Sequence, residues 1–224
     1  MEMLKSFHDT KANPETKICV YVADNDRSIA AYKQLANGHD VSYATFLDPA
    51  QAINALFDGR KEFDYYGIAN DDYIYRTPGW DEIMIKAIED TCGGWGMANS
   101  ESVWPAPPQD NCRHPVGCVF SGNIPRLLGY IFAPTISVYR SDAYLRDLFE
   151  LIGPQIDSHY VHCPEVTIEH MHFRGGKAAF DDTYSYGYNP NTMARGNQGF
   201  FEWERDYKQN DLEKIRKALP CVPQ

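Results

Sequence analysis

The stretch FDYYGIANDDYIYRTPGWDE, Phe63 to Glu82, decides how this sequence is read. Its first half is aromatic and β-branched, the composition of a buried strand. It runs into two adjacent acids, Asp71 and Asp72, and is then broken by Thr77-Pro78-Gly79. Neighbouring carboxylates repel unless water, a cation or hydrogen bonds offset the charge. The stretch is therefore a solvated turn or part of a metal site, and the flanking sequence has to separate the two.

Upstream, Ile18 to Ala23 is a short β-rich run ending in Asp24-Asn25-Asp26. SIAAYKQLA follows with helical character, with Asp26 or Ser28 as N-cap and Asn37-Gly38 as the stop. DVSYATFL is a second strand. DPAQAINALFDG is a second helix, with Asp48 as cap, Pro49 in the first position and Gly59 after the end. With the strand before Asp71 this makes β-α-β-α-β, which predicts a mainly parallel sheet with helices on its faces. Ligands of such sheets bind at the carboxyl ends of the strands. Asp24/Asp26 and Asp71/Asp72 both fall there, which favours the metal-site reading.

Downstream, Trp80 to Asp90 is predicted helical, GGWGMANSE a strand and loop, and the Pro-rich residues 104–117 an irregular surface loop. IFAPTISVYR is predicted to be a strand leading into an amphipathic helix from about Ser141 to Ile152, and HYVHCPEVTIEHMHF a further strand. Residues 1–16 read as a loose leader, and 198–219 as a C-terminal helix after a loop-rich stretch. There are no internal repeats and no linker. The expectation is one domain, with a nucleotide-binding half over residues 17–100 and an acceptor and metal half over 101–190.

Of the 224 residues 43% are hydrophobic and 23% charged, which suits a globular protein with a sizeable core. A net charge of −10 argues against a nucleic-acid polymer as partner, since phosphate contacts need clustered Lys and Arg. One small nucleotide, neutralised by a divalent ion, is compatible with it. No run of about 18 apolar residues predicts a membrane span. The first 17 residues lack the apolar region of a signal peptide, so a cytoplasmic protein with six reduced cysteines is expected.

A second constellation lies in EVTIEHMHF, Glu165 to Phe173. On a strand, His170 and His172 share one face, while Glu169 and Met171 take the other. Two same-face imidazoles and a distant carboxylate pair suit a divalent ion, and Lys177, after Gly175-Gly176, could reach a diphosphate as a point charge.

The segments GIANDDYIYRTPGWDE and VTIEHMHFRGGKAAFDD resemble the metal-binding strand end and the late strand of GT-A-fold nucleotide-sugar glycosyltransferases. The resemblance spans roughly residues 17–184. It implies a Rossmann-like α/β fold with a mixed, mainly parallel sheet. The implied activity is transfer of a sugar from a nucleoside-diphosphate donor to an acceptor hydroxyl on a glycan, protein or small molecule. The implied cofactor is manganese or magnesium. Asp72 matches the last, metal-binding acid of the family's DxD-type motif, and Asp71 the middle position, which contacts ribose or metal. The first acid is replaced by Asn70. His170 or His172 would be the late metal ligand, with His172 slightly favoured. Asp24 corresponds to the region that holds the base, and Asn54 to a helix that often touches the nucleotide. Asp157 takes the place in chain order of the catalytic acid, with Glu101, Asp142 and Glu169 as alternatives.

Other readings compete. A nucleotidyltransferase also needs two acids and a metal, but it carries a Gly-rich loop after its first strand, where this chain has ADNDRS. A metal-binding domain built on His159, His162, His170 and His172, with His162, Glu165 and His170 as a two-histidine, one-carboxylate set, is a second. A glycan-binding protein using its aromatics is a third. In the transferase reading the acceptor is expected at SESVWPAPP and SGNIPRLLGY, where Trp104, Tyr130 and Arg126 could pack against a sugar ring.

Overall fold

The computed structural model describes residues 2–24, 26, 29–35, 40–45, 47–101, 115–153, 159–180 and 182–220. In chain order the elements are α1 (Glu2–Thr10), β1 (Cys19–Ala23), α2 (Ile29–Leu35), β2 (Asp40–Ala44), α3 (Pro49–Asp58), β3 (Tyr65–Gly67), β4 (Tyr73–Tyr75), α4 (Trp80–Cys92), β5 (Met97–Glu101), β6 (Cys118–Ser121), α5 (Asn123–Leu128), α6 (Ser141–Glu150), β7 (Tyr160–His170), α7 (Asp182–Gly187), α8 (Pro190–Asp206) and α9 (Lys208–Ala218). The fold is a single α/β domain with a mixed sheet flanked by helices, as expected.

The balance of pairing differs from the expectation of a mainly parallel sheet. β1 and β2 form a parallel pair of their own, and the main sheet runs β3-β6-β5-β7-β4. Of its ladders only β5/β7 is parallel; β3/β6, β5/β6 and β4/β7 are antiparallel. Two of the antiparallel ladders run along β6, and the third is set by β7. Its first half pairs with β5 until Ser100 meets Cys163, and the register then slips so that Glu101 faces Thr167. Pro164 sits in that slip and has no N–H to give to a ladder. Beyond it, β7 takes β4 as an antiparallel partner.

Cys118 and Phe120 face one core with Phe132, Tyr144, Phe149 and Trp203, while Val119 faces another with Tyr75, Trp80, Met84 and Ile88. This is the period-2 alternation of a sheet covered on both faces. Cys19, Cys92, Cys118 and Cys163 are free thiols. Cys112 and Cys221 lie outside the described residues.

The expected loose leader is a helix. Phe7 of α1 is buried, edge-on to Tyr75 at 5.5 Å and tilted against Trp80 at 5.6 Å. The segment after it is held by Asp81, whose buried carboxylate accepts hydrogen bonds from Ala12 N, Asn13 N and Thr16 Oγ1 at 2.7–3.1 Å. The WDE turn therefore anchors the N-terminal segment, and its acid also sits favourably in the first turn of α4.

Two other expectations are corrected. Residues 131–137 are not a strand, because their backbone is bonded to a side chain instead of a ladder. Asn54 Oδ1 accepts from Ile131 N and Phe132 N at 3.0 Å, and its Nδ2 donates to Phe132 O at 2.7 Å. The helix expected over 198–219 begins earlier and is two helices. Asn189 caps α8 through Asn191 N, with Pro190 in the first turn, a start signal that also reads as a turn in sequence. Asp211, 1% exposed, ties the two helices to each other and to the loop after α5 by accepting from Trp203 Nε1 and Tyr130 Oη.

Gly196 and Gly199, three apart on one face of α8, let that helix press on the 135–139 segment. A Cβ at Gly199 would stand 1.9 Å from Thr135 O. Gly199→Ala is expected to cost about 2 kcal/mol or more in denaturant unfolding, since overpacking against fixed backbone leaves no soft atom to move. Gly59→Ala, whose Cβ would meet only Leu56 O at 3.9 Å, is expected to change stability by less than about 0.5 kcal/mol.

Candidate functional site

The β4/β7 register pairs Tyr73 with His170, Ile74 with Glu169 and Tyr75 with Ile168, and Met171 N donates to Asp72 O at 2.8 Å. Val166 and Ile168 are buried on one face of β7, and the same alternation delivers His170 to that face at the strand's last residue. The acid just before β4 and the imidazole that ends β7 therefore meet, although 98 residues separate them: His170 Nε2 and Asp72 Oδ2 are 2.9 Å apart. Tyr184, from α7, donates its hydroxyl to the same oxygen at 2.7 Å.

Asp72 is partly buried. Burial works against its ionisation, but the His170 hydrogen bond and charge and the Tyr184 hydroxyl outweigh it, so its pKa is held below the usual carboxylate value. At neutral pH it is a carboxylate. Its second oxygen, Oδ1, is buried and meets no hydrogen-bonding side chain among the described residues, though the Asp72 backbone N–H also favours the charged carboxylate. An unsatisfied anionic oxygen of this kind is costly unless a cation or donor meets it.

His172 lies just past β7, 5% exposed, with its ring 5.0 Å from that of His170 and 4.6 Å from that of Tyr184. Burial first, then the neighbouring His170 and Arg174 charges, push its pKa down to about 4. It is neutral at pH 7. Its Nδ1 accepts from Arg174 N at 3.1 Å, so the neutral ring carries its proton on Nε2. The Arg174 N–H thus takes the Nδ1 lone pair of His172, the ring slightly favoured as late ligand. Of the two histidines, His170 is the one in direct contact with Asp72.

Asp72 Oδ1 is a hard oxygen donor of the kind that divalent ions take. Among the described residues no three His, Cys, Asp or Glu side chains converge as a ready-made cage. An ion there would take few protein ligands and fill its shell with water and phosphate oxygens, as magnesium and similar cations do. A cleft of about 1560 Å³ passes the site and is lined by Asp26, Tyr32, Asn70, Asp71, Asp72 and Arg174, among others. Tyr32, from α2, is close enough to Asp71 and Asp26 that, after burial, their charges raise its pKa.

The other expected site residues divide. Asp71 is exposed and lines the cleft beside Asp72. Asp24 follows β1, exposed, with its N–H on Ala44 O. Asn54 is corrected from a nucleotide contact to a structural clamp, because the Ile131–Phe132 backbone takes both of its amide atoms. Lys177 donates to Glu169 Oε1 at 2.7 Å, and Arg76 holds the other oxygen of the same carboxylate. This occupies Lys177 as a phosphate ligand and Glu169 as a base. Asp157 and Trp104 lie outside the described residues. Arg126 is a loop anchor on Phe63 O and Lys61 O, and Tyr130 is bonded to Asp211. His162 pairs with Glu101 at 3.1 Å, and His159 Nδ1 lies 2.5 Å from Trp95 O, so the histidines are divided among separate partners.

Tyr184 was not singled out by the sequence. It stands in DDTYSYGY, where close aromatics and acids carry no spacing that separates a site residue from a packed one. Arg174, 4.5 Å over the ring of Tyr188, was missed for the same reason.

No family model matches this chain, and no curated protein does. Seven chains of solved structure match it. One is TarS 1–349 from S. aureus, a glycosyltransferase, with a TM-score of 0.50 and 12% sequence identity over 98% of this chain and 76% of that one. The likeness is one of fold. Among the described residues no helix is long and apolar enough to cross a membrane.

The buried, neutral His172 has a consequence for stability. A histidine whose folded pKa is about 4 against 6.5 unfolded binds its proton more readily in the unfolded chain. Stability is therefore full above pH 6.5 and declines as pH falls towards 4, by up to about 3 kcal/mol. In His172→Gln this part of the decline should disappear when unfolding free energies are compared between about pH 7 and 4.

Proposed function

We propose that this protein is a metal-dependent glycosyltransferase that moves a sugar from a nucleoside-diphosphate donor to an acceptor hydroxyl. The observation that carries the reading is the Asp72 carboxylate. One oxygen is fixed by His170 and Tyr184 and the other is buried with no side-chain donor among the described residues, beside a large cleft. The fold likeness to a glycosyltransferase agrees with it.

In this reading Asp72 holds a manganese or magnesium ion through Oδ1, and Asp71 contacts the ribose or the ion. The cleft wall at Asp26 and Tyr32, just past Asp24, takes the nucleoside. Arg174 lines the cleft and is better placed for the diphosphate than Lys177, which would first have to leave Glu169. The bond that breaks joins the anomeric carbon to a phosphate oxygen, and its electron pair leaves with the nucleoside diphosphate. The acceptor oxygen forms the new bond to that carbon and gives its proton to a carboxylate base, for which Asp157 remains the proposal. A divalent ion, when bound, neutralises the charge gathering on the departing diphosphate.

The competing nucleotidyltransferase reading finds no Gly-rich loop after β1 to hold a triphosphate. Calorimetric titration of UDP and GDP, with and without Mn²⁺, tests the proposal. Wild type is expected to bind one of the two, with affinity raised at least about tenfold by Mn²⁺, and Asp72→Asn to lose that gain. Failure of both nucleotides to bind under any metal condition overturns it.

A further inference from the structure

Three features of the 173–188 segment bear on Asp72 together. Tyr184 Oη donates to Oδ2 at 2.7 Å, sharing that oxygen with His170 Nε2. The Tyr184 ring is packed edge-on to His172 at 4.6 Å and against Phe173 at 4.7 Å, which fixes where the hydroxyl can go. Two residues on, Tyr186 Oη is 3.3 Å from Asp48 Oδ2, on the cap of α3. α7 is thus moored at the candidate ligand carboxylate through one tyrosine and across the cleft at α3 through another.

We propose that Tyr184 is a positioning residue: its hydroxyl and His170 together hold Oδ2, so that the Asp72 carboxylate is turned with Oδ1 presented to a divalent cation. The inference rests on the reading of Asp72 as the residue that holds the ion. A carboxylate held by one partner can rotate about its Cβ–Cγ bond, and ligating either oxygen then costs orientational freedom. A carboxylate held by two donors on one oxygen has that freedom removed before the ion arrives. Partners of this kind around a metal ligand are worth about ten- to a hundredfold in metal affinity. The geometry also gives Tyr184 a second consequence. Because it arrives on α7 and not on the β4/β7 ladder, the orientation of Asp72 depends on that segment being in place, whereas the contact with His170 is built into the sheet.

The test is direct Mn²⁺ binding in the presence of UDP or GDP, read from the electron paramagnetic resonance signal of free Mn²⁺, for wild type, Tyr184→Phe and Asp72→Asn. Phenylalanine keeps the ring contacts with His172 and Phe173 and removes only the hydroxyl, so the variant retains the packing. The expected result is Mn²⁺ binding about tenfold weaker in Tyr184→Phe and abolished in Asp72→Asn. If Asp72→Asn abolishes binding but Tyr184→Phe binds as wild type, the ion-site reading stands and the positioning role is overturned. A Tyr184→Phe variant with a lowered thermal midpoint and unchanged Mn²⁺ affinity also overturns that role, and leaves the hydroxyl a part in packing only. Tighter Mn²⁺ binding in Tyr184→Phe would make the hydroxyl a competitor of the ion, which is equally incompatible with positioning. If wild type binds no Mn²⁺, the reading of Asp72 and this inference fall together.

Discussion

The candidate site depends on one register. Antiparallel pairing of β4 with β7 sets Tyr73 opposite His170, and a slip of a single residue would send every side chain of β7 to the other face of the sheet. Asp72 would then lose its imidazole. Pro164 sits at the slip in the parallel ladder with β5, which resumes at Glu101 and Thr167 just before β4 takes up β7 from Ile168 to His170. The β4/β7 register is enforced on both sides of the strand. Ile168 and Val166 are buried in the core beneath, and Arg76 and Lys177 grip Glu169 above.

This placement accounts for the chemistry of the two histidines. His170 ends the inward-facing row at the edge of the core, half-buried, where it can meet a carboxylate. His172 is two residues further on, past the strand, and is buried and neutral, with its ring nitrogen committed to Arg174 N. The same motif thus supplies one imidazole that faces an acid and one that packs beneath Tyr184. Adjacent acids divide in a similar way. Asp72 is drawn in by its two donors, while Asp71 stays at the cleft surface.

Much of this was legible in the sequence. The β-α-β-α opening, the Asp48–Pro49 start of α3 and the helix from Trp80 all follow from local patterns, while the link between Asp72 and the HxH strand comes from the resemblance. What was not legible depends on partners far away in the chain. Residues 2–10 read as polar and loose because a single buried Phe7 and a mooring by Asp81 are tertiary facts. IFAPTIS has strand composition, but Asn54 takes its backbone groups. The Gly-Gly approach to Lys177 suits a phosphate, yet the side chain lies beside Glu169, and no pattern marks Tyr184. Periodicity reports which face of an element is buried; it does not report which polar groups find each other.

The most direct measurement of the central claim is a crystal structure with Mn²⁺ and the nucleotide that binds, using anomalous scattering at the manganese edge to locate the ion. The predicted result is a peak within coordination distance of Asp72 Oδ1, with Oδ2 still held by His170 and Tyr184 and the diphosphate on the far side of the ion. A peak elsewhere in the cleft, or a nucleotide bound with Asp72 bonded only to His170 and Tyr184, would contradict it.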